Sequence, residues 1–382
     1  GVAPDDLAAG VRRDGLEHTL EDLRDEGVRV SLSEFRGQEP IRRPGLTIDP
    51  RPGMFINPML SGGVTGRSSG TSSAGTSTAY TWAFLAEEAA AEFLLHEQHG
   101  VGDAPLAMWM PGPPGIAGLH NLLLHFKAGR VPDRWFSQAP PPSWADSAAG
   151  RLAPEYLLAC ARLCGLPATR PRYLPVDQAL EVARWMAVQA GPSVLKTYAS
   201  SAVRTASAAK DEGLDLSGHV IFAGGEPLTQ RRKRFIESAG AGCGRGDGEA
   251  PDQMHVYQDR LAIIGGQETQ RIGGRELRSL AFTSLSMHTP RILLNTELGD
   301  YGVLRRRKCD CLFGQLGMDV QLSHVGSPEK LTGEGMNLPL SEMDAIVGEL
   351  IEQAGGSPDD YQFEERQDER GITRLTIVVS PA

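Results

Sequence analysis

Between Ala104 and Ser238 the chain alternates short apolar runs with helix-length segments, which confines it to a layered α/β architecture. Ala104–Met110 reads as a strand that meets the tight loop Pro111-Gly112-Pro113-Pro114-Gly115, and Leu119–Phe126 as a helix stopped by Gly129. Residues 154–165 and 177–190 read as helices. Ser193–Tyr198 then reads as a strand, 201–212 as a helix, His219–Ala223 as a strand and Thr229–Ser238 as a helix. Ala139-Pro140-Pro141-Pro142-Ser143 is a stiff connector. Residues 1–50 read as opening helices, with Leu16–Leu23 charged and amphipathic, while 31–60 read as loop and 79–99 as one alanine-rich helix. After residue 253 the texture changes to short strands and turns at Met254–Tyr257, Leu261–Ile264, Leu277–Thr283 and Arg291–Leu294. Helix returns at Ser341–Ala354, with a last strand at Arg374–Val379.

The chain has 382 residues, enough for a sizeable core and more than one domain. A formal net charge of -10 argues against nucleic acid or an anionic membrane as the main partner. The basic runs Arg231-Arg232-Lys233-Arg234 and Arg305-Arg306-Arg307-Lys308 read as solvated faces. No apolar stretch has the length of a membrane-spanning helix, and the N-terminus shows no basic-then-apolar signal pattern. Five cysteines in a chain of this size fit a reducing compartment, so a cytoplasmic location is expected.

The run Arg67–Thr78 packs hydroxyls and glycines ahead of an apolar segment, Trp82–Leu95. Glycines let backbone N–H groups converge, hydroxyls add donors, and a following helix N-terminus adds a positive dipole, which together would cradle a phosphate chain. A flexible linker has the same composition. The run is neither a Walker loop nor a dinucleotide fingerprint, since no Gly-Lys-Ser/Thr closes it and the glycine spacing is wrong.

Four further stretches follow in order. Val220–Thr229 is a strand ending in Gly224-Gly225-Glu226-Pro227, where a ligand ring could approach the backbone, or an ordinary strand-to-helix turn capped by Thr229. Pro290–Gly302 is an apolar strand leading to an acidic turn; Asp300 could accept hydrogen bonds from ribose hydroxyls, or simply shape a hairpin. Cys309 and Cys311, with Cys243 and His255 upstream, form a set that could hold tetrahedral zinc, although no CxxC pair is present. Cys160 and Cys164 lie at helical spacing in an apolar segment and read as core thiols. Glu329–Asn337, including Lys330, is a charged, glycine-punctuated loop that serves as a hinge or a plain connector.

In order and content these stretches resemble the adenylate-forming enzymes, in particular the phenylacetate–CoA-ligase-like branch. Ser68-Ser69-Gly70-Thr71-Ser72-Ser73 is similar to the family's Ser-Gly-Thr-Thr-Gly phosphate loop, and Gly224-Gly225-Glu226-Pro227-Leu228 to its Gly-Ala-Glu-Pro-Leu adenine-side turn. Thr296–Asp300 resembles Arg-Thr-Gly-Asp-Leu, with Asp300 as the ribose carboxylate, and Gly326–Asn337 resembles the hinge segment. The Cys-x-Cys-x-x-Gly pattern at Cys309, Cys311 and Gly314 also recurs in that branch, where it joins an upstream Cys and His. The departures are equally specific. The aromatic-Gly-x-Thr-Glu motif is absent between Glu237 and Glu249, a gap of about fifteen residues against family spacing. No Pro-Lys follows the phosphate loop, the hinge reads Gly326-Ser327-Pro328-Glu329, and the chain ends at Ala382 before the family's late lysine segment.

The resemblance implies an α/β fold with a large multi-layer adenylate-forming domain over 1–325, followed by a hinge and a small, truncated α+β C-terminal domain over 326–382. It implies ATP and Mg2+, a structural Zn2+, and activation of a small carboxylic acid as its acyl-adenylate. Transfer would follow to CoA, a carrier-protein thiol or an amine, from a chain able to form a homodimer. It leaves the catalytic side chain unassigned. His120 either lines the acyl pocket or is a core or capping histidine, since the sequence shows nothing nearby to pair with it. Two other readings stand beside the enzyme: a degenerate relative that binds nucleotide or acyl group without turnover, and a zinc-stabilised interaction domain.

Overall fold

A computed structural model of the chain describes residues 4–51, 53–67, 77–112, 116–141, 155–156, 158–160, 162–163, 165, 169–226, 228–244, 253–272, 275–327, 330–333, 336–354, 361–370 and 372–379. The chain opens with α1 (Pro4–Asp14), α2 (Leu16–Asp25), α3 (Leu32–Arg36) and the hairpin β1 (Ile41–Arg43) and β2 (Leu46–Ile48). The strands β3 (Val64–Arg67) and β4 (Ser77–Tyr80) precede α4 (Trp82–Gln98), β5 (Leu106–Trp109), α5 (Ile116–Lys127), β6 (Arg134–Ser137) and β7 (Arg172–Tyr173). Next come α6 (Ala179–Ala187), β8 (Val194–Tyr198), α7 (Ala199–Asp211), β9 (Val220–Gly224), α8 (Gln230–Glu237) and β10 (Gly242–Gly244). After these lie β11 (Met254–His255), β12 (Leu261–Ile272), β13 (Arg275–Ser284), β14 (Thr296–Arg306), α9 (Leu312–Gln315) and β15 (Val320–Gly326). The chain closes with β16 (Lys330–Gly333), β17 (Met336–Pro339), α10 (Leu340–Gln353), β18 (Tyr361–Gln367) and β19 (Thr373–Val379).

These elements form two compact units, Gly1–Val64 with Gln253–Pro328, and Thr65–Asp252 with Glu329–Ala382. The second unit is built on a parallel six-stranded sheet in the order β10-β9-β8-β5-β6-β7. Both faces are covered, so its central strands are largely apolar rather than alternating, with Lys196 and Thr197 of β8 as polar exceptions. Ala107, Trp109, Leu195, Ile221 and Ala223 face a core shared with Val182, Ala183 and Met186 of α6 and Ala202, Val203, Ala206 and Ala209 of α7. The intervening residues Leu106, Val194 and Phe222 pack with Val101 and Leu95 on the opposite side. Small residues along α7 let that helix lie close against the sheet.

The first unit carries an antiparallel sheet in the order β11-β15-β14-β13-β12. Leu20 of α2 packs on Ala262, Ile264 and Ala281. Val256, Ile263, Leu280, Val320 and Leu322 form a separate cluster.

The α/β alternation is present, with three differences from the sequence reading. Residues 79–99 are not one helix: Ser77–Tyr80 is a strand, and α4 begins at Trp82 behind Thr81, whose Oγ1 accepts from Phe84 N at 3.2 Å. Arg291–Leu294 is not a strand but carries an isolated bridge to Ile56, and β14 begins only at Thr296. The hinge-like loop holds a hairpin, β16 with β17, in which Lys330 pairs with Pro339. β6 had no sequence signal beyond Trp135 and Phe136. It is four residues long, starts on a charge, and is held by parallel pairing to β5.

Candidate nucleotide site and candidate metal centre

The Gly224-Gly225-Glu226 turn lies at the carboxyl end of β9, where parallel α/β sheets place ligands. Gly225 has φ +72, and a Cβ there would meet the Tyr198 ring carbons at 2.7 and 2.8 Å. Glycine is therefore required twice, for the left-handed backbone and for the approach to the ring at the end of β8. Glu226 turns inward. Its carboxylate accepts from Ser200 N at 2.9 Å and Ser200 Oγ at 2.8 Å, and pairs with Arg232 at 3.1 Å. It thus anchors the turn to the N-terminal end of α7, and what the turn presents outward is backbone. Burial, followed by the Glu226 charge, pushes the Tyr198 hydroxyl above the usual tyrosine range. Thr229 caps α8 by accepting from Arg232 N at 3.3 Å, as its place in the sequence suggests. Pro227 lies outside the described residues.

Ser68, Ser69, Gly70, Thr71, Ser72 and Ser73 also lie outside the described residues. Their run connects β3 to β4, so a strand rather than a helix follows it directly. His120 of α5 has a partner: its Nε2 lies 2.9 Å from Glu88 Oε2 on α4, and its ring centroid is 4.5 Å from that of Tyr80. The expectation that nothing pairs with His120 is thereby corrected; the partner is 32 residues away in sequence. Asp300, in the first unit, is half-buried on β14 beside Gly299, whose φ of +84 marks a register shift in the β13–β14 ladder. It occupies a bulged strand rather than a hairpin turn. Glu329 lies outside the described residues.

His255, Cys309 and Cys311 come together in the first unit, their ligand atoms all within 4.8 Å of one another. Cys311 Sγ is 3.3 Å from His255 Nε2. His255 Nδ1 bonds the Met318 carbonyl, which puts the proton on Nδ1 and the lone pair on Nε2, where Gln321 donates at 3.2 Å. Backbone N–H groups of Gly314 and Cys311 point at Cys311 Sγ and Cys309 Sγ, at 3.3 and 3.4 Å. Gly314 is obligatory, because a Cβ would lie 2.0 Å from the Cys309 carbonyl oxygen. Two sulfurs with N–H support and an imidazole of fixed tautomer fit a soft divalent ion such as zinc. Cys243 sits in the other unit, within the apolar core on β10, where burial first and Glu237 second push its thiol up to about 12. Cys160 is half-buried rather than a core thiol, and Cys164 lies outside the described residues.

No family profile matches the chain, and no curated protein matches it. Among solved structures it is similar to a 2-hydroxyisobutyryl-CoA ligase in complex with 2-HIB-AMP and CoA, at TM-score 0.51 and 17% identity, over 92% of this chain and 68% of that one. It is also similar to the McyG A-PCP protein complexed with phenylalanyl-adenylate, at TM-score 0.41 and 11% identity, over 84% of this chain and 57% of that one. A third similar structure is a fatty acyl-adenylate ligase from L. pneumophila, at TM-score 0.36 and 12% identity, over 82% of this chain and 58% of that one. The chain has the adenylate-forming ligase fold. Within that fold, the Gly-Gly-Glu turn stands at the carboxyl end of β9 in the parallel sheet.

The adenylate-forming fold also gathers a cluster that the sequence reading missed. Glu92 and His96 of α4, His125 of α5 and Lys196 of β8 converge in the second unit. Lys196 Nζ is 2.6 Å from Glu92 Oε1, and His96 Nε2 is 3.3 Å from the same oxygen. Arg130 donates to His96 Nδ1, so the His96 proton resides on Nε2 and points at Glu92. With that proton on Nε2 and Lys196 on the carboxylate, Glu92 is already occupied, and the cluster reads as a buried hydrogen-bonded network rather than a metal centre. Desolvation pushes His125 down to about 3, while the Lys196 charge and the His96 hydrogen bond hold Glu92 below the usual carboxylate range against its burial. The signal was available: Glu92 and His96 continue the buried spacing of Leu85 and Ala89 along one face of α4.

Proposed function

We propose that the chain activates a carboxylic acid with ATP. The acid's carboxylate attacks the α-phosphorus, the bond to the bridging oxygen breaks, and pyrophosphate leaves with its electron pair. A thiol (CoA or a carrier-bound thiol) or an amine then attacks the acyl carbon and expels AMP. The observation that carries this reading is Gly225, pressed on Tyr198 at the carboxyl end of the parallel sheet of an adenylate-forming fold. In this reading the Ser68–Ser73 run holds the phosphates and the Gly224-Gly225 backbone flanks the adenine, while the ribose role of Asp300 is carried by the resemblance alone. Mg2+ would neutralise charge on the phosphate oxygens. His120, tied to Glu88 beside Tyr80, borders the acyl group, and Glu329 and Lys330 belong to the hinge. His255, Cys309 and Cys311 would hold a structural zinc.

ATP–pyrophosphate exchange over a panel of carboxylic acids tests the reading. Acid-dependent exchange supports it, and ATP binding without exchange for any acid refutes it. A second reading is favoured by one observation, the missing aromatic-Gly-x-Thr-Glu motif after Cys243: a relative that binds the nucleotide or acyl-adenylate and does not turn it over. The same assay separates the two.

A further inference from the structure

The Gly-Gly-Glu turn is wired to the C-terminal hairpin. Glu226, 2% exposed, holds the Ser200 backbone N–H and the Arg232 guanidinium. Arg232, 1% exposed, donates its Nη2 to Thr373 Oγ1 at 2.8 Å. Thr373 is the first residue of β19, so one buried cation joins the turn to a strand 141 residues away in sequence.

The hairpin's turn is built for this contact. Asp368 Oδ1 accepts from the backbone N–H groups of Arg370 and Ile372, both at 3.0 Å, closing the turn on itself. Arg370 donates to Ser207 Oγ on α7 at 2.6 Å and lies 3.6 Å from Asp211. Arg231 of α8 donates to the Asp368 carbonyl at 3.2 Å, and Ile372 packs against the core beneath. The two helices gripped by the hairpin, α7 and α8, are those anchored by Glu226 and by Arg232.

We infer that the β18–β19 hairpin is a clamp on the nucleotide turn, with Arg232 and Thr373 as positioning residues that act through Glu226. Docking the hairpin completes the Arg232 hydrogen bonds, holds the Glu226 carboxylate on the Ser200 amide and keeps Gly224-Gly225 in the shape that receives the adenine. The role of the clamp in binding rests on the adenine-side reading proposed above; its grip on the turn does not.

Thr373→Val removes the hydroxyl at nearly constant volume, and Thr373→Ser restores it. Hydrogen exchange on the full chain reads the Ser200 amide, which donates directly to Glu226. Thr373→Val is expected to speed its exchange about tenfold, the scale of a lost hydrogen bond to a charged group, and to weaken AMP binding in the same direction; Thr373→Ser is expected to match the parent. Unchanged Ser200 exchange in Thr373→Val overturns the clamp. Should that variant fail to fold, the double variant Glu226→Gln/Arg232→Met removes both buried charges together. Loss of protection over 372–379 then supports the clamp, and unchanged protection overturns it. A parent chain that does not bind AMP refutes the adenine-side reading, while Ser200 exchange still decides the clamp.

Discussion

His125 gives the sharpest test of the buried network. Its side chain has no solvent exposure, and neither ring nitrogen has a hydrogen-bond partner; Nε2 lies 3.9 Å from Glu92 Oε1. Burial lowers it from an ordinary 6.5 to about 3, which outweighs the opposing pull of Glu92. The sign follows directly. The unfolded chain binds a proton at this residue below pH 6.5 and the folded chain does not until about pH 3, so stability is complete above pH 6.5 and falls as the pH drops through that window. Each pH unit is worth about 1.4 kcal/mol, so this one residue costs roughly 1.4 kcal/mol at pH 5.5 and about 2.7 at pH 4.5. His125→Leu, similar in volume, removes the titration and two unsatisfied nitrogens. It is expected to be neutral or up to about 3 kcal/mol more stable at pH 7.5. Its advantage should widen by about 1.4 kcal/mol at pH 5.5. Urea unfolding of both chains at the two pH values measures the difference, in which all other titrating groups cancel to first order. An advantage that does not widen toward pH 5.5 refutes the reasoning.

Three further outcomes are expected. Lys196→Met leaves Glu92, with a side chain 9% exposed, lacking its cation, and should cost about 3–5 kcal/mol in urea unfolding; the double variant with Glu92→Gln should recover most of it. Gly225→Ala forces a Cβ into the Tyr198 ring at positive φ and should lower stability by about 1–3 kcal/mol and weaken AMP binding in calorimetry; unaltered binding would count against the adenine-side reading. Cys311→Ser should lower zinc content measured on the purified protein, and equal zinc in both chains would remove the metal assignment.

Local signals carried a good part of the architecture. Continuous apolar runs such as Ala104–Met110 and His219–Ala223 are what a doubly covered parallel strand requires, and Thr229 before an eight-residue helix is a capping signal that needs no neighbours. Strands that depend on partners were not legible. Thr296–Arg306 contains Gly-Asp in its middle and reads as a turn; it is a strand because β13 and β15 pair along its two edges and a bulge at Gly299 absorbs the irregularity. Arg291–Leu294 is apolar enough for a strand and lacks the ladder to become one.

The candidate sites divide along the same line. Gly225 could be marked from sequence because a Gly-Gly after a strand is a local backbone statement. The direction taken by Glu226 could not, since the same four letters serve whether the carboxylate faces a ligand or, as here, Ser200 and Arg232. Likewise Cys309, Cys311 and His255 were marked as metal-ligating types, but their convergence depends on β11 pairing with β15, and the Nδ1 proton of His255 depends on the Met318 carbonyl. By itself the sequence determined the layered α/β class, the helix caps and the chemical types at the turn and the Cys-x-Cys, because those depend on propensity and spacing along the chain. Tertiary structure alone decided which carboxylates are buried, which histidine nitrogens carry protons and which residues share a site, because burial and hydrogen-bond partners come from segments tens to hundreds of residues apart.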